Sequence, residues 1–143
     1  MTNKKEALVR KALNIEELKR IYGHRAKRYD FQHAFITAKA DQMGRKLLVK
    51  KSVAEGNEVL DCGSGTGTTG IMAAQKIGRN GKITFFDLSD DMLAVAKKKV
   101  TREGLQDRVT FQVGDMVHLP FDDNKFDVVL STYSLCPLYT VFE

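Results

Sequence analysis

The spacing of apolar residues changes near residue 52. Upstream, Leu8, Ala12, Ile15, Leu18 and Tyr22 recur at three- and four-residue steps, an amphipathic helical stripe. Asn14 followed by Glu17 reads as a capping box that divides this stretch into two helices. A further helix is predicted over 31–51, with Phe31, Phe35, Ala38 and Leu48 toward the core. Downstream the apolar runs shorten. Val59, Leu60 and Cys62 form a short buried strand after the turn Glu55-Gly56-Asn57. A helix is predicted from Thr68 to Ile77, closed by Gly78, then a strand over 82–87. Ser89 is an N-cap for the next helix, with Asp90 and Asp91 in its first turn and Lys97, Lys98 and Lys99 near its end. Gly104 ends that helix at C′. Strands over 108–113 and 126–131 flank the loop "LPFDDNK".

Strands alternating with helices at this spacing predict βαβ units: an α/β fold with a Rossmann-like, mostly parallel sheet of about four strands, preceded by N-terminal helices. Right-handed crossovers place a ligand at the carboxyl ends of such strands. The 143 residues allow one real core. They divide by pattern into a helical cap or lid over 1–51 and an α/β core over 52–143. Hydrophobic residues at 43% and charged residues at 29% are ordinary for a soluble domain, and no apolar run approaches the ~20 residues of a membrane span. Cys62 and Cys136 have no metal-ligand spacing, and the N-terminus has no signal-peptide core, so reduced thiols and a cytoplasmic location are expected. Charge is uneven: residues 1–51 carry 14 Lys/Arg against 5 Asp/Glu, and residues 52–143 carry 9 against 13. The basic arm fits either the solvated face of a helical cap or contact with an anionic partner such as RNA.

The candidate chemistry lies at strand ends. "DCGSGTGTTG", 61–70, contains two overlapping fingerprints. Gly65 to Gly70 fit the dinucleotide pattern G-x-G-x-x-G, and Asp61 to Gly67 fit an acid-x-G-x-G-x-G pattern. Gly63, Gly65 and Gly67 let a ligand touch the main chain. A carboxylate at Asp61 would repel a pyrophosphate and suits a cationic ammonium or sulfonium. Asp87, ending the second strand, can accept from both hydroxyls of a ribose, which fits NAD and an adenosyl ligand equally. Gly114-Asp115-Met116, ending the third, offers an acid and an apolar face to an adenine. Each acid also has a purely structural reading: a helix cap for Asp61 and turn residues for Asp87 and Asp115.

Four segments together resemble class I S-adenosylmethionine-dependent methyltransferases, in particular the ubiquinone/menaquinone-biosynthesis C-methyltransferase group. They are "YGHRAKRYD" (22–30), "VLDCGSGTG" (59–67), "DLSDDMLAVAKKK" (87–99) and "GDMVHLPFDDNKFDVVLS" (114–131). The resemblance implies methyl transfer from S-adenosyl-L-methionine to a small-molecule acceptor, with S-adenosyl-L-homocysteine as product. It implies that Asp61 holds the methionine amino group and that the backbone of Gly63, Ser64, Gly65 and Gly67 contacts the methionine part. Asp87 would take the ribose hydroxyls, with Leu88 and Met92 near the adenine. Asp115 would accept from the adenine amino group, Met116 would pack on the ring, Ser131 would lie beside the methionine moiety, and Tyr29 would fold over the cofactor. A general base is needed only if the acceptor must lose a proton; His24, His33 and Tyr133 are the candidates, each more often a packing or surface residue. His118 reads as a loop residue, and Cys136 as a nucleophile is disfavoured. No metal is expected.

The family sheet continues beyond a fourth strand, so this chain reads as truncated. "FDVVLS" is too apolar for an exposed edge, which points to a fragment, a split enzyme completed by a partner chain, or self-association through that edge. A non-catalytic cofactor-binding subunit is the alternative reading, and an RNA methyltransferase a weaker one.

Overall fold

A computed structural model describes residues 40–134, together with Glu16 and Arg20 of the segment before them. The described chain runs α1 (40–52), β1 (Glu58–Cys62), α2 (Thr68–Lys76), β2 (Lys82–Asp87), α3 (Asp90–Arg102), β3 (Val109–Val113) and β4 (Val128–Leu130). The strands form one parallel sheet in the order β3-β2-β1-β4. The order reverses at β1, whose neighbours β2 and β4 are reached by crossovers in opposite directions. A crevice therefore opens at the carboxyl ends of β1 and β4.

Side-chain alternation along β1 sorts the core. Val59 faces a large cluster with Ala73, Ala74 and Ile77 of α2, Leu93, Ala96 and Val100 of α3, and Ile83 and Phe85 of β2. Leu60 and Cys62 face a smaller cluster with Phe86, closed by Met116, Phe121 and Phe126. Asp61 shares the face of Val59, which puts a carboxylate at the top of the main core.

The termini of α3 form as the sequence indicates. Ser89 accepts from the Met92 N–H at 3.3 Å. Gly104 has φ +67, and the bonds Leu105 N–H to Val100 carbonyl and Gly104 N–H to Thr101 carbonyl make a Schellman motif. Lys76, ending α2, donates to the Val49 and Lys50 carbonyls at the end of α1. Lys76→Met keeps the stem and removes the donors. It should cost about 0.5–1.5 kcal/mol, read as a fall of a few degrees in a thermal melt.

Two sequence expectations need correction here. Leu48 does not face the core: it is 37% exposed, while Val49 and Val53 are buried. The inward stripe of α1 is Asp41, Arg45 and Val49, because Arg45 is drawn to partners on α2 and beyond β4. The fourth strand is Val128–Leu130, not 126–131. Asp127 bonds the Glu58 backbone partly through its side chain (Oδ2 accepts from the Glu58 N–H at 2.7 Å), and the chain leaves the sheet after Leu130. Among the described residues β4 has β1 as its one neighbour, and Val129 is 58% exposed. Tyr29, His24, His33, Cys136, the paired N-terminal helices and the aromatic residues of 31–38 lie outside the described residues.

Candidate functional site

The loop after β1 is held by main-chain bonds to β2. The N–H groups of Gly63 and Ser64 both donate to the Phe86 carbonyl, at 2.8 and 3.1 Å. Gly67 then starts α2 with φ +81 and no side-chain cap of its own. At Gly67 a Cβ would lie 2.7 Å from the Phe85 ring, which makes this glycine a packing requirement between helix and sheet. At Gly65 a Cβ would meet nothing within 4 Å. Its backbone faces open space, where a ligand can lie against it.

Asp61 is 1% exposed, and neither carboxylate oxygen has a hydrogen-bond partner among the described residues, although the Gly70 N–H faces it. Burial pushes its pKa up to about 7; the Arg45 guanidinium and the Gly70 N–H pull the other way, and Asp87 adds to the rise. A buried acid without donors is costly. The Ser64 hydroxyl, two positions beyond Cys62, is likewise buried without a partner. An ammonium group would satisfy Asp61, so the residues present fit the amino-acid end of an adenosyl amino acid.

Asp87 does two jobs already. Its Oδ2 accepts from the Gly65 N–H at 2.7 Å, and its Oδ1 accepts from the Ser89 N–H at 2.9 Å. Burial raises its pKa, while the Ser89, Gly65 and Leu88 N–H groups oppose that rise. Asp87 thus ties the glycine loop to the start of α3, and each oxygen retains a lone pair for a ribose hydroxyl. Leu88 is partly exposed beside it and Met92 is buried. Asp115 forms a turn, Oδ1 accepting from the Val117 N–H at 3.0 Å. Met116 reaches back over the loop, its terminal methyl 2.9 Å from where a Gly63 Cβ would stand. Carboxyl ends of three adjacent strands therefore bring Asp61, Asp87 and the Asp115–Met116 pair to one end of the sheet.

The segment after β4 closes on the same loop. Ser131 and Ser134 share a hydrogen bond of 2.5 Å, and Ser134 donates to the Cys62 carbonyl at 3.2 Å. A Cβ on Gly63 would lie 2.3 Å from that of Ser134. Thr132 bonds the Thr69 hydroxyl at 2.8 Å, and the Arg45 guanidinium donates to Thr69 at 2.7 Å and Thr132 at 3.3 Å. Tyr133 has φ +59, lies under the Arg45 guanidinium at 4.9 Å, and has its pKa raised by Asp41. Its hydroxyl is thereby engaged on the α1 side. His118 is exposed in the loop after β3. Arg45, Thr69, Thr132 and Ser134 were not singled out from the sequence. The available signal was a charged pair, Asp41 and Arg45, four residues apart on the stripe that continues as Val49 and Val53.

Comparison with known proteins agrees with this geometry. Residues 59–141 match the methyltransferase domain family. Demethylmenaquinone methyltransferase of Staphylococcus aureus is 32% identical over 123 residues, which are 85% of this chain and 50% of that protein. The chain thus spans about half the length of the curated relatives it matches. Among solved structures, a SAM-dependent methyltransferase of Aquifex aeolicus superposes with a TM-score of 0.62 at 25% identity, covering 76% of this chain and 55% of the other. A SAM-dependent O-methyltransferase of Thermotoga maritima gives 0.56 at 26%, covering 67% and 35%. The match decides between the two fingerprints of the glycine loop in favour of the acidic one. The chain belongs to the class I S-adenosylmethionine-dependent methyltransferase family.

Proposed function

We propose that this chain binds S-adenosylmethionine at the carboxyl ends of β1, β2 and β3 and transfers its methyl group to a small-molecule acceptor. The observation that carries the reading is Asp61, a buried carboxylate without hydrogen-bond partners at the end of β1, flanked by a glycine loop and a second acid. In this reading Asp61 and the Gly63–Gly67 backbone hold the amino-acid end, and Asp87 the ribose. Leu88 and Met92 back the adenine, Asp115 and Met116 hold its edge and face, Ser131 flanks the methionine part, and Tyr29 covers it. When bound, the cofactor supplies a methyl carbon already activated on a sulfonium. The chain's task is then to fix the approach line and keep water out. A demethylmenaquinone is the first acceptor to try, given the name of the relatives that match 85% of the chain.

Calorimetry with S-adenosylhomocysteine tests the reading. Binding heat and a thermal upshift are expected; neither, at millimolar ligand, defeats it. Asp87→Ala should weaken binding by ~1–3 kcal/mol, the scale of lost hydrogen bonds to a charged group. Unchanged affinity would refute the ribose role.

A second reading rests on β4, whose exposed Val129 lies on a strand with one described neighbour. Pairing at that edge, by a partner chain or a second copy, would complete the sheet before catalysis. Light scattering at micromolar concentration should then show a dimer or larger species, or methyl transfer should appear on adding the partner; a monomer active alone counts against it.

A further inference from the structure

We infer that Arg45 is a positioning residue for the cofactor site: bound between the first turn of α2 and the segment after β4, it favours the ionised form of Asp61 that can take an ammonium group. The inference rests on the cofactor reading above and adds to it a residue from outside the strand-end motifs.

The geometry is specific. Arg45 comes from α1, sixteen positions before Asp61 in sequence, yet its side chain is only 10% exposed. Its guanidinium is fixed from four directions. Asp41 Oδ2 lies 3.1 Å from Nε, the Thr69 hydroxyl 2.7 Å and the Thr132 hydroxyl 3.3 Å from the same terminal nitrogen, and the Tyr133 ring 4.9 Å from Cζ. Thr69 precedes Gly70, where a Cβ would stand 2.6 Å from Asp61 Oδ2. Thr132 is two residues beyond Leu130, which pairs with Asp61 across the sheet. Arg45 therefore sits one residue layer from the carboxylate on both sides, bound to each neighbour. A planar, permanently charged fork suits this role, because it reaches two hydroxyls and a carboxylate at once.

The charges around the pair are few. Asp87 faces Asp61 from β2, and Cys62 lies next to it on β1; from α2 the Gly70 N–H faces it. Asp41 and Tyr133 face Arg45. Of the groups that act on Asp61, Arg45 is the cation, and it opposes both burial and Asp87. Without it burial and Asp87 shift Asp61 further toward the protonated form at neutral pH and weaken its hold on an ammonium, while the adenosine end of the ligand is unaffected.

The test uses the whole chain as wild type, Arg45→Met and Arg45→Lys. The pH dependence of binding is measured for S-adenosylhomocysteine and for 5′-methylthioadenosine, which lacks the amino acid. In Arg45→Met, adenosylhomocysteine affinity at pH 7 should fall about tenfold and recover by pH 9. The binding midpoint should rise by roughly one pH unit or more, the usual effect of losing an adjacent opposite charge. Arg45→Lys should restore part of it, and methylthioadenosine should bind all three alike. In the ligand-free chain, the carboxyl carbon resonance of Asp61 should titrate higher in Arg45→Met than in wild type. Equal loss for both ligands at every pH, or an unmoved Asp61 titration, overturns the role. A wild type that binds neither ligand defeats the cofactor reading, and the Asp61 titration then decides the Arg45–Asp61 coupling by itself.

Discussion

Gly70→Ala should lower the melting temperature by several degrees and weaken adenosylhomocysteine binding about tenfold, a 1.4 kcal/mol effect. A Cβ at position 70 would stand 2.4 and 2.5 Å from two carbons of the Phe85 ring and 2.6 Å from Asp61 Oδ2. Phe85 is fully buried and cannot step aside easily. The same ring lies 2.7 Å from a Cβ position at Gly67 and packs edge-on against Phe111, with centroids 5.4 Å apart. Overpacking of this kind costs ~1–3 kcal/mol. Alanine recovers up to ~1 kcal/mol of helix propensity, less in a first turn, so the clash wins. Gly65→Ala is the contrast, since its Cβ meets nothing and only φ +53 opposes it. It should leave the core intact. Differential scanning fluorimetry and calorimetry on both variants check the pair. A Gly70→Ala chain with wild-type melting and affinity would show that neither Phe85 nor Asp61 needs the space.

That glycine illustrates what was legible in the sequence. Gly70 completes a dinucleotide pattern with Gly65 and Gly67, yet the structure places it in α2, where the closeness of Phe85 requires a small residue. The alternation of strands and helices gave the parallel sheet, and β2 and the Ser89 cap stand where local chemistry puts them. The three acids at successive strand ends were legible because each strand end is marked by its own turn chemistry. For Asp87 and Asp115 the structural reading leaves room for the ligand-binding one. Asp87 accepts from the N–H of Ser89 and Gly65, and Asp115 from that of Val117, with lone pairs to spare. What was illegible is long-range. The rotation of α1 that buries Val49 and exposes Leu48 depends on bonds from Arg45 to Thr69 and Thr132, 24 and 87 residues away. The late start of β4 goes with Asp127 meeting Glu58 across 69 residues. No local period encodes such contacts.

Asp61→Asn should separate stability from binding. The acid is buried without hydrogen-bond partners, and its pKa is raised from 3.8 to about 7 chiefly by that burial. A native pKa above the unfolded one means that the folded chain binds the extra proton between those values. Stability is then intact below about pH 4 and falls as pH rises toward 7, by at most ~1.4 kcal/mol per pH unit. Asparagine keeps the shape and cannot ionise. Denaturant titrations should therefore show wild type losing stability from pH 4 to 7, with Asp61→Asn flat across that window apart from changes shared by both. Binding runs the opposite way. A cationic ligand needs the ionised acid, so wild-type affinity for adenosylhomocysteine should rise with pH up to about 7 and then level. Below that point binding should release up to one proton, measurable by calorimetry in buffers of different ionisation heat. Asp61→Asn should bind roughly 30-fold more weakly or worse, the scale of losing one partner of a buried charge pair, with no proton released from this site. Equal affinity in the two chains would remove Asp61 from the site. Equal pH slopes of stability would show instead that the acid is ionised and solvated in the ligand-free fold. The buried carboxylate is thus a cost that the folded chain carries at neutral pH, and a cationic ligand is what would reverse its sign.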